Sequence, residues 1–283
     1  MAISAATVKE LRDRTGAGMM DCKNALTEAG GDMEQAVKIL RTKGLAAAAK
    51  KAHRSANEGA VVVSGDSRRM ALLELNCETD FVARNPSFSE LAARLAEQAL
   101  VSGTTDVEAL KKQPSSEDPQ HTVEQIISQQ IATIGENIVL SRLALLEAAG
   151  SNHLSSYVHG GGTIGVVVEG TETVPEEALH DVALHVAASD PRFTTRSEVT
   201  EETLANEREI ALKQAVDQGK PEHIAERMVT GKMEKFFEQE VLLEQPFAKE
   251  PSKSVAEYLS ETGGEGATVV RFVRFKLGED TAP

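Results

Sequence analysis

The chain of 283 residues contains no tryptophan, two tyrosines and two cysteines, and it has no long apolar run. Cys22 and Cys77 are too few for a disulfide framework or a four-cysteine zinc site. The scarcity of aromatic side chains argues against stacking platforms for bases or sugars. No apolar run approaches the ~18 residues that a membrane-spanning helix needs, and the charged N-terminus does not resemble a secretory signal. We therefore expect a cytoplasmic protein that does not bind membranes.

Charge is abundant but unevenly distributed along the chain. The 30 basic and 44 acidic residues give a net charge of −14, which works against direct binding to nucleic acid. Residues 1–56 differ from the rest because they contain ten basic and six acidic residues, a net charge of +4. This contrast predicts a separate N-terminal module.

The first fifty residues show the apolar spacing of three short helices. Val8 and Leu11 share one helical face, and Cys22 and Leu26 share another. Glycine pairs separate the helices, and Gly44 is predicted to end the third helix before a linker at residues 45–54. This linker is rich in alanine and lysine, and a helical conformation of it is left open. The sequence therefore predicts a three-helix module with its linker over residues 1–54.

Residues 55–150 are predicted to form the N-terminal half of a two-part α+β core with antiparallel sheets. Two apolar runs flank Gly65-Asp66, which predicts a hairpin that turns at these two residues. Ser87 and Glu90 have the spacing of a capping box and predict the start of the next helix. The polar segment 103–120 is predicted to be a loop, after which a second helix leads into a third strand.

Residues 151–283 repeat this order and are predicted to form the C-terminal half of the core. A hairpin turns at Gly160-Gly161-Gly162, and helices then lead to a closing strand. Because helix, Gly-Glu and strand follow one another in both halves, we hypothesise two related units. The second half carries an insertion at about residues 195–240. Its charged sequence, broken at Gly219-Lys220-Pro221, predicts an antiparallel coiled-coil hairpin.

The sequence shows no arrangement of residues that is typical of an active site. His180 and His185 lie ~140° apart around the axis of one predicted helix, so they cannot share a metal ion. The glycines at 160–162 lie between strands and lack the Lys-Ser/Thr of a phosphate loop. Neither cysteine has a neighbouring histidine that could act as its base. We therefore expect no catalytic residue, no bound metal and no cofactor.

Two groups of apolar residues leave alternatives open. Met19 and Met20 are adjacent and point ~100° apart on a helix, so with Leu11 they form either an exposed patch or part of a core. Phe81 lies between Asp80 and Val82 in a short connection, where a large aromatic side chain is usually buried. The alternative is an exposed wedge that separates packed elements of a partner protein.

At these residues the sequence resembles the bacterial translation elongation factor Ts family. Two long stretches carry the resemblance, Leu11–Leu26 and Glu74–Arg84. Shorter stretches extend it in order over nearly the whole chain, at residues 134–137, 157–165, 185–193 and 245–251.

The resemblance implies a guanine-nucleotide exchange factor in translation elongation, without bond chemistry of its own. Its partner would be elongation factor Tu in the GDP-bound and nucleotide-free states. Disturbing the Mg²⁺ site of that partner would release GDP so that GTP can bind. The N-terminal module would resemble a ubiquitin-associated domain, and a homodimer within a two-plus-two complex is left open. The residues implied to contact the partner are Leu11, Met19, Met20, Lys23, Thr79, Asp80, Phe81, Val82, Ile134, Gly135 and His159.

Two other classes of function remain as alternatives. One is an adaptor whose N-terminal module binds ubiquitin-like or other peptide ligands while the core serves as a scaffold. Such an adaptor would have no use for Asp80-Phe81. The other is a hydrolase built on the His-rich helix, which would depend on His185 and would act without a partner protein.

Overall fold

The computed structural model of the protein describes residues 3–217 and 222–279. Residues 3–51 form three helices, α1 (Ala5–Thr15), α2 (Met19–Glu28) and α3 (Met33–Lys51). The side chains of Ser4 and Asp32 cap α1 and α3 by accepting hydrogen bonds from N–H groups that the helices leave unpaired. The three helices enclose a small core made of Val8, Leu11, Cys22, Ala25, Leu26 and Ala36.

The third helix is longer than predicted, because it continues through Gly44 to Lys51. Gly44 is buried, and a Cβ added there would lie 3.7 Å from the Cβ of Ala132, which belongs to a core helix. The residues after Gly44 are mainly alanine and lysine, both strong helix formers. Close packing therefore accounts for the glycine inside the helix, and the predicted linker is largely helical.

The first sheet is antiparallel, with the order β1 (Glu58–Asp66), β2 (Arg69–Cys77), β3 (Ile138–Glu147). Its hairpin turns at Ser67-Arg68, so the prediction of a turn at Gly65-Asp66 was wrong. Oδ1 of Asp66 accepts hydrogen bonds from the N–H groups of Arg68 (2.8 Å) and Arg69 (3.1 Å). These hydrogen bonds stabilise a turn at Ser67-Arg68, so that β1 and β2 stay paired as far as Asp66 and Arg69.

Four helices connect β2 to β3. They are α4 (Asp80–Ala83), α5 (Pro86–Ser102), α6 (Val107–Lys112) and α7 (Val123–Ile134).

The starts of these helices correct two predictions. Asn85 caps α5 by accepting the Ser87 N–H at 3.0 Å, so the predicted capping box of Ser87 and Glu90 is wrong. Pro86 then takes the first helical position, where its fixed φ is favourable. In the predicted loop 103–120, α6 forms because its Leu110 is buried in the core.

The second sheet is also antiparallel, with the order β4 (His153–His159), β5 (Ile164–Gly170), β8 (Val269–Lys276). Between β5 and β8 the chain forms α8 (Glu176–Ser189), the two short strands β6 (Pro246–Phe247) and β7 (Glu250–Ser254), and α11 (Val255–Gly263).

The predicted helical hairpin consists of α9 (Glu201–Asp217) and α10 (Glu222–Glu240). The two helices pack on one another through a narrow seam of small and flexible side chains. Its buried members include Ala211, Ala215, Ala225 and Met233. The predicted break at Gly219-Lys220-Pro221 lies outside the described residues.

The core has four layers, helices, sheet, sheet, helices. One apolar cluster joins the first sheet to α5 and α7, and another joins the second sheet to α8 and α11. A third cluster lies between the two sheets and includes Val61, Leu72, Val167 and Phe275. Both faces of each sheet are therefore covered, which explains why β2 is buried over nearly its full length. No helix that the structure describes is long and apolar enough to span a membrane.

The two halves of the core share a strand order, as the hypothesis of related units requires. Glu74 of β2 pairs with Arg142 of β3, and Glu169 of β5 pairs with Arg271 of β8. In both pairs the Arg Nε lies 2.6 Å from Oε2 of a buried glutamate. A register irregularity follows each glutamate directly. The Glu–Arg ion pair and the register irregularity lie at the same relative position in both sheets, which supports a common architecture for the two halves.

Candidate functional site

Phe81 projects into solvent from the loop that follows β2. Thr79 caps the short helix α4, and the Phe81 side chain is 82% exposed. Its neighbours Val82 and Ala83 pack against the first core cluster instead. Since consecutive helical residues point ~100° apart, the packing of the partly buried Val82 against the core turns Phe81 outwards. The general preference of aromatic residues for the core therefore misleads at this position.

The Phe81 segment, which we define as Thr79–Val82, is hydrogen-bonded to the loop Gly135–Asn137. Thr79 donates its N–H to Oε2 of Glu136 (3.0 Å) and its hydroxyl to Oε1 of Glu136 (2.7 Å). In the opposite direction, the Asn137 N–H donates to Oε1 of Glu78 at 2.6 Å. The Asn137 N–H, together with the nearby Arg54, holds the pKa of Glu78 below its ordinary value. The two loops are thus held together by reciprocal contacts.

The pairing brings two further sequence-predicted residues to the segment. Ile134 ends α7 and packs partly into the core, and Gly135 is the exposed cap of that helix. The φ of Gly135 is +92°, a conformation that residues with a Cβ rarely adopt. Asp80 lies half-buried beside Phe81, and its carboxylate forms an ion pair with Arg84 at 3.1 Å. Asp80, Phe81, Ile134 and Gly135 therefore share one end of the first sheet.

His159 lies at the end of β4, exposed to solvent, with its Nδ1 3.0 Å from the Tyr157 hydroxyl. The glycine turn that follows returns to the first sheet, because Gly162 accepts the Val61 N–H at 2.8 Å. The β1 residues that follow Glu58 pair with the end of β2. The structure thus places the His159 turn at the same edge of the core from which the Phe81 segment emerges.

The N-terminal module presents the beginning of α2. Met19 and Met20 are 45% and 63% exposed, and Lys23 is exposed on the same helix. Leu11 is fully buried, so of the two alternatives left open for its side chain the structure has the core position and not the exposed patch. The reason is that Leu11 lies on the face of α1 that packs against α2.

A cleft of about 410 Å³ separates this module from the core. The loop Thr15–Gly18 lies on one side of the cleft, and Ala132 and Thr133 of α7 lie on the other. A Cβ added at Gly16 would be 3.9 Å from Oγ1 of Thr133, one residue before Ile134. The start of α2 and the end of α7 are therefore neighbours in space.

Sequence reasoning missed Glu78 and Glu136, the two carboxylates that join the loops. Glu136 is 57 residues from Thr79 and Glu78 is 59 residues from Asn137. The pairing of β2 with β3, which sets Cys77 opposite Ile138, brings these loops together. In the sequence, Glu78 immediately precedes Thr79, and Glu136 immediately follows Gly135. Nothing in the sequence indicates which backbone or side-chain groups these two carboxylates bind.

Of the residues considered for catalysis, His185 and Cys77 are buried, whereas His180 is exposed. His185 is buried, and its ring nitrogens contact Gln245 Oε1 (2.9 Å) and the Ala248 N–H (3.0 Å). No nitrogen of His185 is left for a substrate. Burial raises the pKa of the Cys77 thiol to about 12, which disfavours a nucleophilic thiolate. Among residues 3–217 and 222–279, no three His, Cys, Asp or Glu side chains are placed to hold a metal ion.

Comparison with known proteins connects this architecture to one family. The family model described as Elongation factor TS matches residues 78–279, which include the Phe81 segment, strand β3 of the first sheet and the whole second sheet. Elongation factor Ts of Aquifex aeolicus (strain VF5) is 45% identical over 291 aligned residues. That alignment covers 98% of this chain and 99% of the relative.

Proposed function

The chain belongs to the elongation factor Ts family, and we propose that it is the guanine-nucleotide exchange factor for elongation factor Tu. In this proposal it binds Tu·GDP in the cytoplasm, disturbs the partner's Mg²⁺ site and promotes release of GDP so that GTP can bind. It makes and breaks no covalent bond. The exposure of Phe81 on a loop anchored at both sides is the observation that carries the proposal.

The physical argument starts from the partner's nucleotide site. Mg²⁺ requires near-octahedral geometry and bridges phosphate oxygens, so small displacements of its supporting elements weaken nucleotide binding. An apolar side chain such as Phe81 stabilises the displaced arrangement if a pocket for it opens only there. Coupling is reciprocal, and nucleotide must weaken binding of this protein by the same factor. GTP can therefore displace the exchange factor from its partner.

The remaining contact residues are proposed as two surfaces. The first consists of Met19, Met20 and Lys23 on the N-terminal module, since flexible methionines suit an adaptable contact. The second consists of the Phe81 segment with Ile134, Gly135 and His159. Within the segment, the Thr79 side chain points to Glu136 and Val82 packs inwards, so Asp80 and Phe81 are the residues free to reach the partner. We leave Leu11 out of the surface because it is buried.

We propose that neither nucleic acid nor a membrane takes part in this binding. The net charge of −14 opposes direct contact with phosphate backbones and anionic lipid headgroups. Assembly as two exchange factors with two partners remains compatible with these surfaces.

The test is stopped-flow release of a fluorescent GDP analogue from bacterial elongation factor Tu. We expect the wild-type protein to accelerate release strongly. Phe81→Ala should reduce the accelerated rate at least about tenfold, because truncating a central aromatic contact costs about 2 kcal/mol or more. Its free energy of unfolding should change by less than about 0.5 kcal/mol, since the side chain makes few contacts in the free protein.

A matched control is Val101→Ala, which also shortens an exposed apolar side chain. Val101 lies near the far end of α5, roughly 20 Å along the helix from its start near Phe81. This variant should release nucleotide like the wild type. If the wild-type protein does not alter release, the exchange function is wrong, and peptide binding by the N-terminal module becomes the function to test.

A further inference from the structure

Glu136 makes the contacts that set the direction of the Phe81 segment. Both of its carboxylate oxygens accept hydrogen bonds from Thr79, at 3.0 Å from the N–H and 2.7 Å from the hydroxyl. The same hydroxyl oxygen accepts the Val82 N–H at 3.4 Å and so caps α4. One side chain thus fixes the cap residue, and the cap residue starts the helix that carries Phe81.

The Glu136 contacts anchor the start of the segment. Its other side-chain contacts are few: the Cys77 thiol donates to the Thr79 carbonyl at 3.2 Å, and Asp80 forms an ion pair with Arg84 at 3.1 Å. A helix of four residues is far too short to be stable alone. Phe81 itself is 82% exposed and contributes few contacts that could hold its own backbone. Val82 and Ala83 pack inwards after it. The backbone direction at Phe81 is therefore determined by Thr79 on one side and by this apolar packing on the other.

The loop that carries Glu136 is itself well fixed. It follows the Gly135 cap of α7, whose N–H donates to Ile131 at 3.0 Å. Asn137 donates its N–H to Glu78 at 2.6 Å and its side-chain amide to the Arg54 carbonyl at 3.0 Å. These contacts tie the loop to β2 and to the residues that follow α3. Through Glu136, Thr79 is therefore held in a fixed position relative to β2 and to the residues that follow α3.

We propose that Glu136 is a positioning residue for nucleotide exchange, which holds the Phe81 segment in the orientation that enters the partner. The inference rests on the exchange function proposed above. A wedge acts more effectively when its direction is fixed before binding, because ordering a mobile segment consumes part of the binding free energy that would otherwise displace the partner's elements. Glu136 would not need to touch the partner or its nucleotide.

The first experiment measures the segment in the free protein and needs no partner. Because the chain contains no tryptophan, Phe81→Trp introduces a single tryptophan reporter at an exposed position, which can be excited selectively over the two tyrosines. We expect time-resolved anisotropy of Phe81→Trp to show little local motion. Adding Glu136→Ala should increase the amplitude of nanosecond motion about twofold, in the range where loops move.

Two further variants separate positioning from general destabilisation. Glu136→Gln retains an oxygen and a polar group facing Thr79 and should restore most of the order. Glu257→Ala is the matched control, because Glu257 Oε2 also accepts the N–H (2.7 Å) and hydroxyl (3.1 Å) of one cap residue, Ser254. That contact lies at α11, on the other sheet, so Glu257→Ala should leave the reporter unchanged.

The second experiment measures release of the fluorescent GDP analogue from elongation factor Tu over a range of exchange-factor concentrations. Glu136→Ala should lower the maximal release rate about tenfold, because Phe81 would no longer be held in the orientation that the partner requires. The half-saturating concentration should change less than about twofold, since the rest of the surface still docks. In a Phe81→Ala background, Glu136→Ala should have no further effect on the maximal rate.

The outcomes distinguish the inference from the function on which it rests. Unchanged anisotropy in Glu136→Ala, an unchanged maximal rate, or an equal effect of Glu257→Ala would each overturn the positioning role. If Phe81→Ala releases nucleotide as fast as the wild type, the wedge mechanism itself is wrong. The anisotropy measurement would still report whether Glu136 orders the segment.

Discussion

His185 illustrates at the residue scale how burial determines a protonation state. Its Nδ1 accepts the Ala248 N–H, so Nε2 carries the proton and faces Gln245 Oε1. The amide of Gln245 is oriented by its donation to the carbonyl oxygens of Ser189 and Gln239. Burial lowers the pKa of His185 below 6.5, and the hydrogen bond to Gln245 opposes this only in part.

The lowered pKa predicts a loss of stability in mild acid. Below about pH 6.5 the unfolded chain binds a proton at His185 while the folded protein does not, so unfolding becomes more favourable as the pH falls. This contribution has a slope of about 1.4 kcal/mol per pH unit in the window between the two pKa values. Urea unfolding at pH 7.5 and 5.5 should therefore show a larger loss of stability for wild type than for His185→Gln.

A control for this measurement is His53→Gln, since His53 is exposed beyond the end of α3. This variant should keep the pH dependence of the wild type. Parallel pH dependence in wild type and His185→Gln would contradict the interpretation of His185 as a buried neutral residue.

Helical periodicity predicted the elements that are long enough to show it. The helix ending at Gly135 and the helix after Pro175 were expected from their sequence, and the structure has α7 and α8 there. Short elements were missed. Among them, α6 exists because Leu110 is buried, and α4 because Thr79 caps its start and Val82 packs against the core. A single turn has no period to detect, so its stability comes from contacts that the local sequence does not contain.

Gly231 provides a prediction at the scale of an element. It lies inside α10, it is exposed, and a Cβ added there would meet no atom within 4 Å. Glycine inside a helix costs about 0.5–1 kcal/mol relative to alanine because it loses more backbone freedom on folding. Gly231→Ala should therefore raise the free energy of unfolding by up to about 1 kcal/mol, measured by chemical denaturation followed by circular dichroism.

The matched control is Gly264→Ala at the end of α11, where there is also open space for a Cβ. Its φ is +77°, which alanine adopts only with strain, so this variant should lose about 1 kcal/mol. Equal effects of the two substitutions would show that helix propensity and backbone conformation do not control stability at these sites.

The whole molecule depends on close contact between its two sheets. Gly165 of β5 faces the first sheet, and a Cβ added there would lie 2.5 Å from Cγ1 of Val61 and 2.8 Å from Cδ1 of Leu72. These distances are shorter than carbon atoms tolerate. The absence of a side chain at this position therefore allows the two halves of the core to approach each other.

We predict that Gly165→Ala destabilises the protein by about 1–3 kcal/mol, the usual cost of overpacking a core. Chemical denaturation of this variant should be run together with Gly231→Ala. Both variants replace glycine by alanine, but Gly165→Ala should lower the free energy of unfolding and Gly231→Ala should raise it. If Gly165→Ala is as stable as the wild type, the sheets can separate without cost and the close approach is not a requirement of the fold.

The local pattern of side chains was sufficient for the α+β class, the helical hairpin and the family resemblance. It could not decide whether Phe81 is exposed, that Leu11 is buried, or that Glu136 anchors Thr79 across 57 residues. Periodicity shows which residues share a face, but only the packing of layers decides whether that face meets solvent or another element. Phe81 is exposed because Val82, one residue later, is the side chain that packs against the core.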